Sequence, residues 1–100
     1  MSPPVSERRS RIEALLRERL AAEHVEVIDE SHLHAGHAGA AGGAGHFRTV
    51  VVSPRFEGKG LVERQRLVYA ALAEMLSAEI HALAMRTLTP EQWSADAAGV

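Results

Sequence analysis

The stretch from Asp29 to His46, DESHLHAGHAGAAGGAGH, limits what this chain can become more than any other. It has neither the 3.6-residue nor the two-residue apolar period, and Gly36, Gly39, Gly42, Gly43 and Gly45 punctuate it. A β-like run, Val25 to Ile28, precedes it, and the β-branched run Phe47 to Val52 follows. The chain therefore reads as two antiparallel strands joined by one long connection, residues 29–46. Connections of this length inside a compact domain are more often functional or disordered than merely connective. This one carries His32, His34, His37 and His46, and imidazole is the commonest protein metal ligand. A solvated glycine- and alanine-rich loop whose histidines have no task fits the composition as well.

The flanks fill in the rest. Met1 to Val5 reads as a frayed tail, with Pro3-Pro4 blocking regular structure. Ser6 to Ala22 reads as a helix, with Ile12, Leu15, Leu16 and Leu20 on one face. Its arginines, Arg8, Arg9, Arg11, Arg17 and Arg19, fall largely elsewhere and are expected to form a solvated face, with Glu13 and Arg17 paired four residues apart. Ser53-Pro54 ends the second strand, because proline cannot donate to a ladder. The turn Arg55 to Gly60 leads into a second helix, about Leu61 to Ala78, striped by Val62, Leu67, Val68, Ala71, Leu72 and Met75. Glu79 to Leu88 reads as a third strand, with His81, Leu83 and Met85 on one face and Ala82, Ala84 and Arg86 on the other. Thr89-Pro90-Glu91-Gln92 then has the form of a capping box, with Thr89 as N-cap and Gln92 reaching back. It opens a short helix whose Trp93 is expected to fold onto the core.

The order is α-β-β-α-β-α. A hairpin plus a third strand reached through a helical crossover gives a three-stranded mixed sheet, and helices on one face make an α+β fold of two layers. One hundred residues suit a single domain, 1–100, with an ordered core at about 6–95 and flexible tails.

Composition removes several function classes. The chain contains no cysteine, which excludes disulfides, thiolate catalysis and an iron–sulfur or zinc site built from its own thiolates. A net charge of −2 gives no global pull toward nucleic acid or anionic membrane. No apolar run approaches the roughly 18–20 residues that span a bilayer, and residues 1–11 lack the apolar core of a signal peptide, so the cytoplasm is the expected compartment. An enzyme is not expected: no Ser–His–acid set or HExxH spacing is present, and Asp29 and Glu30, adjacent at a strand end, point to opposite faces.

Two features remain that can carry chemistry. The Gly58-Lys59-Gly60 turn before a helix can approach phosphate through backbone N–H groups. It lacks the longer glycine frame of a P-loop and the GxxG spacing of a KH clamp, and a sharp turn explains its glycines as well. His81, at the start of the third strand, can face the long loop; with one loop histidine it makes two nitrogen ligands. A [2Fe-2S] cluster takes two ligands per iron, and paired histidine ligation has precedent in Rieske centres. A partner would then have to supply the thiolates. A partly buried histidine capping backbone carbonyls is the alternative for His81.

The segments VEVIDESHLHAGHAG, HFRTVVVSPRFEGKGLVERQRLVYAAL and IHALAMRTLTPEQW, in this order and spacing, resemble the BolA family in its bacterial, histidine-loop form. The resemblance runs from about Ile12 to Trp93. It implies an α-β-β-α-β-α fold similar to a class II KH domain. It also implies an adaptor that binds a monothiol glutaredoxin, in a complex that holds a [2Fe-2S] cluster jointly with glutathione. The family's C-terminal histidine corresponds to His81 and its loop ligand best to His34, with His32 and His37 as alternates. No cofactor is expected on the isolated chain, which would be a monomer or weak homodimer. Some bacterial members are described as DNA-binding transcription regulators of stress and morphology; the resemblance places such contacts in Arg55 to Arg66, where the basic residues are Arg55, Lys59, Arg64 and Arg66. The Ala38 to Gly45 run lengthens the loop where family members often carry a shorter polar segment.

Overall fold

The computed structural model describes residues 5–30, 45–76 and 78–98. In chain order the elements are α1 (Val5–Leu20), β1 (His24–Asp29), β2 (Gly45–Val52), a 3-10 turn (Pro54–Phe56), α2 (Leu61–Ala71), a second 3-10 turn (Ala73–Met75), β3 (Ile80–Leu88) and α3 (Pro90–Ala98). The fold is α+β, with β2 in the middle of a three-stranded sheet, antiparallel to β1 and parallel to β3. The parallel pair needs a crossover, and α2 supplies it.

Helices α1 and α2 lie on one face of the sheet. The core between them holds Ile12, Leu16 and Leu20 of α1, Val25 of β1, Phe47 and Val51 of β2, and Val68, Ala71 and Leu72 of α2. Alternation along β2 explains the division: Phe47, Thr49 and Val51 are buried against the helices, and Arg48 is exposed on the other side. Thr49, a polar residue in this layer, satisfies its hydroxyl on the Glu26 carbonyl at 2.8 Å.

The third helix behaves differently. The capping box forms as expected: Gln92 Oε1 accepts from the Thr89 N–H at 2.9 Å, and Thr89 Oγ1 accepts from the Gln92 N–H at 3.1 Å. Trp93, however, does not enter the core between the sheet and α1–α2. It stacks on His24, with ring centroids 4.6 Å apart and planes at 21°, and His24 belongs to the opposite face from Val25. The short α3 thus meets the end of the second face, where Val52 and Leu88 are buried.

Two other expectations change. The second helix stops at Ala71 rather than Ala78, because the Leu72 N–H tightens onto earlier carbonyls and a 3-10 turn follows. That turn buries Met75 completely and delivers the chain to β3. The basic face of α1 is only partly solvated. Arg8 is 6% exposed, Arg11 bridges Glu74 and Glu79, and Arg19 pairs with Glu74 and donates to the Ala71 carbonyl at 3.0 Å. The Glu13–Arg17 pair forms at 3.2 Å.

Candidate functional site

Because β2 and β3 are parallel, their first residues lie side by side at one end of the sheet. The register slips there. Gly45 stands opposite Ile80 and His46 opposite Ala82, which leaves His81 as an extra residue in β3. Such a bulge sets two residues against one and re-aims a side chain. Phe47 faces the core, so His46 faces the other side of the sheet. The exposed His81 ring sits against the half-buried His46 ring, with centroids 5.1 Å apart and planes tilted by 53°. The expectation that His81 shares a face with Leu83 and Met85 is therefore corrected. Those two residues pack against the core, and the bulge takes His81 out of the alternation.

The backbone around this pair is held from several directions. The Glu79 carbonyl accepts from the Gly45 N–H at 3.0 Å and lies 3.5 Å from Arg8 Nη1. The buried Glu79 carboxylate takes Arg11 Nη1 on both oxygens, at 3.0 and 3.3 Å. On the other flank, the Glu30 N–H donates to the His46 carbonyl at 2.8 Å, and the Glu30 carboxylate faces Arg48. Gly45, expected in the connection, begins β2, and His46, expected at the end of the connection and fixed by strand pairing before Phe47, is part of that strand.

His32, His34 and His37 lie outside the described residues. The described residues that flank their segment, Glu30 and Gly45, both border the His46–His81 pair. Among the described residues no group of three or more His, Cys, Asp or Glu is placed to hold a metal ion. What the sheet offers is two neighbouring imidazoles, half of a four-donor set, with one ring open to solvent. The pairing of His46 with His81 is not legible in the sequence. The position of His46 before Phe47 is visible there, but the bulge and the parallel register are not.

The basic turn is built on two buried residues. Ser53 caps the first 3-10 turn by accepting from the Arg55 N–H at 3.0 Å, and Phe56 is fully buried. Gly58 then takes φ +75°, a conformation that favours glycine. Of the four candidate basic residues, Arg64 is tied inward. Its Nε donates to the Lys59 carbonyl at 2.9 Å, and Nη1 to the Thr87 carbonyl at 3.2 Å and Gln92 Oε1 at 2.8 Å. Arg55 and Arg66 are exposed and Lys59 is half-buried. Arg55 edges a cleft of about 230 Å³ floored by Leu20, Leu67, Ala70 and Ala71.

The family profile described as BolA-like protein matches residues 16–92. The chain belongs to the BolA family. It is 49% identical over 82 residues to human BolA-like protein 1, covering 82% of this chain and 58% of that protein. It is 44% identical over 85 residues to the DNA-binding transcriptional regulator BolA of Escherichia coli (strain K12), covering 85% of this chain and 78% of that one. Its structure is similar to the BolA domain of SufE1 from Arabidopsis thaliana, with a TM-score of 0.73 and 40% identity over 84% of this chain and 93% of that one. This BolA-like chain thus spans little more than half the length of human BolA-like protein 1. In the SufE1 case the same unit is one domain of a larger protein.

No helix among the described residues is long and apolar enough to cross a membrane.

Proposed function

We propose that this chain is a non-enzymatic adaptor that binds a monothiol glutaredoxin and shares with it, and with glutathione, the ligation of a [2Fe-2S] cluster. The observation that carries the reading is His81: an exposed imidazole on a bulge, on a braced backbone, beside a second imidazole and beside both flanks of the histidine-bearing segment. The donor chemistry fits a share of the cluster. Imidazole nitrogen ligates iron in such clusters, and a chain without cysteine must leave the thiolates to a partner. His81 is the ligand from the sheet, and His34 the ligand from the loop, with His32 and His37 as its alternates. The cluster is cargo in this reading, handed on or sensed, and the work is placed in the cytoplasm. Co-purification with a monothiol glutaredoxin should yield a coloured complex whose visible spectrum changes in His81→Ala. An identical spectrum in that variant removes His81 from the ligand set.

A second reading, a DNA-binding regulator, is favoured by the printed name of the Escherichia coli relative together with the exposed Arg55 and Arg66 beside the half-buried Lys59. Arg64 contributes less to it, since its Nε and Nη1 already serve protein acceptors. Phosphate contacts make affinity fall steeply with salt. Duplex DNA titrated at low and moderate salt should then show binding lost as salt rises, and weakened by Arg55→Ala and Arg66→Ala. No binding at either salt level rejects this reading.

A further inference from the structure

We propose that the cleft between the end of β3 and α3 binds a phosphate monoester, held between the guanidinium groups of Arg64 and Arg86. The site stands apart from the histidines and does not depend on the adaptor reading. Neither Arg55 nor Arg66 lines it. The cleft is open, measures about 510 Å³, and has Arg64, Arg86, Thr87, Gln92 and Asp96 in its walls. Small-molecule sites run from about 300 to 1,000 Å³. The two arginines come from different elements and meet along one face of α3. Arg64, from α2, places Nη1 2.8 Å from Gln92 Oε1. Arg86, from β3, places Nη2 3.0 Å from Asp96 Oδ2. Gln92 and Asp96 are four apart in α3, and such residues are neighbours on a helix, with Cβ atoms about 5–6 Å apart. The two guanidiniums therefore occupy adjacent positions, within reach of one tetrahedral anion.

Their charges are not balanced. Arg64 is anchored by neutral groups alone: the Lys59 and Thr87 carbonyls, the Gln92 amide oxygen and the Phe56 ring. Neutral acceptors fix a guanidinium in place without cancelling its charge, and these engage Nε and Nη1, leaving Nη2 for a ligand. Among the described residues Asp96 is the one carboxylate that lines the cleft, and it already faces Arg86. The side chains of that pair are 56% and 49% exposed. Exposed ion pairs contribute little, so Asp96 yields to a stronger anion. A phosphate monoester carries a charge of about −1.5 to −2 near neutral pH, and its oxygens suit the guanidinium fork. It matches two guanidiniums where the Asp96 carboxylate matches one. Arg64 is also pre-oriented by its anchors, so less side-chain freedom is lost when an anion binds.

The test titrates the full chain at constant ionic strength with glycerol 3-phosphate, a phosphoserine peptide and dimethyl phosphate. NMR of the arginine side-chain N–H signals follows binding without any substitution. Both monoesters should shift the Arg64 and Arg86 signals together, and dimethyl phosphate, a diester with one charge, should bind more weakly. Tighter binding of glycerol 3-phosphate assigns the site to a free small ester, and tighter binding of the peptide assigns it to a phosphorylated protein. Arg86→Gln, at an exposed position, should weaken monoester binding about tenfold, the scale of one lost hydrogen bond to a charged group. Asp96→Asn removes the competing carboxylate and should strengthen binding. Both positions are on the surface, so neither variant puts the fold at risk. The proposal is overturned if the Arg86 signal does not move, if Arg86→Gln binds as the unsubstituted chain does, or if Asp96→Asn weakens binding. A diester that binds as tightly as the monoesters overturns it too.

Discussion

Single side chains with several hydrogen-bond duties fix the corners of this molecule. Ser53 is fully buried, and its hydroxyl donates to the Leu20 carbonyl at the end of α1 while accepting the Arg55 N–H. Its own N–H reaches the Leu88 carbonyl at 3.0 Å. One residue thus ties the end of α1, the end of β3 and the start of the basic turn. Ser53→Ala strands a buried carbonyl and should lower stability by about 1–3 kcal/mol. Urea unfolding checks this, with a lower midpoint and an unchanged slope. Arg64 plays a similar part at the other side of the turn, lying 5.9 Å above the Phe56 ring as well as on its three acceptors.

At the scale of elements, the ends carry more information than the middles. Helix α1 closes at Leu20, and Ala21 takes φ +50°, a left-handed conformation that costs an L-residue with a Cβ about 1–2 kcal/mol. Glycine is the usual residue for such a helix exit. Ala21→Gly should therefore raise stability by about 1 kcal/mol, read as a higher thermal midpoint; a lower midpoint would show that the alanine methyl contributes packing. The opposite case is α3, whose start is written in Thr89, Pro90 and Gln92 and forms as written. Helix α2 shows why a stop can be invisible. The residues from Ala71 to Leu76 are ordinary helix formers, yet the helix gives way there to the 3-10 turn Ala73–Met75, in which Met75 is fully buried.

Across the whole molecule, one acid sits where four elements meet. Glu79 sits at 5% exposure between α2 and β3, and Arg11 and Arg8 reach it from α1 while Gly45 reaches it from β2. Glu79→Gln keeps the backbone bonds and removes the charge opposite Arg11. It should destabilise the fold by about 2 kcal/mol, the scale of a buried hydrogen bond to a charged group. Because the same corner positions His46 and His81, their NMR resonances should shift in this variant while those of Trp93, at the far end of the sheet, stay in place. Unchanged stability would mean that Arg11 and Glu79 contribute little to holding this corner.

The order of elements, the fold class and the family are legible in the residues alone, because they depend on local periods, on cap and turn residues and on ordered motifs that the chain displays directly. Val25 to Ile28, Phe47 to Val52 and the Thr89 capping box were legible in that way. His81 stands out in the sequence as a candidate ligand, and the structure sets its ring beside that of His46; His34 lies outside the described residues. Tertiary packing was needed to bring His46 beside His81, to turn Arg64 inward, to bury Arg8, and to tie the partly exposed Arg11 and Arg19 to Glu79 and Glu74. The physical reason is the same in each case. A one-residue slip between parallel strands, or a carbonyl presented by an element far away in the chain, leaves no periodic mark on the residues that answer to it.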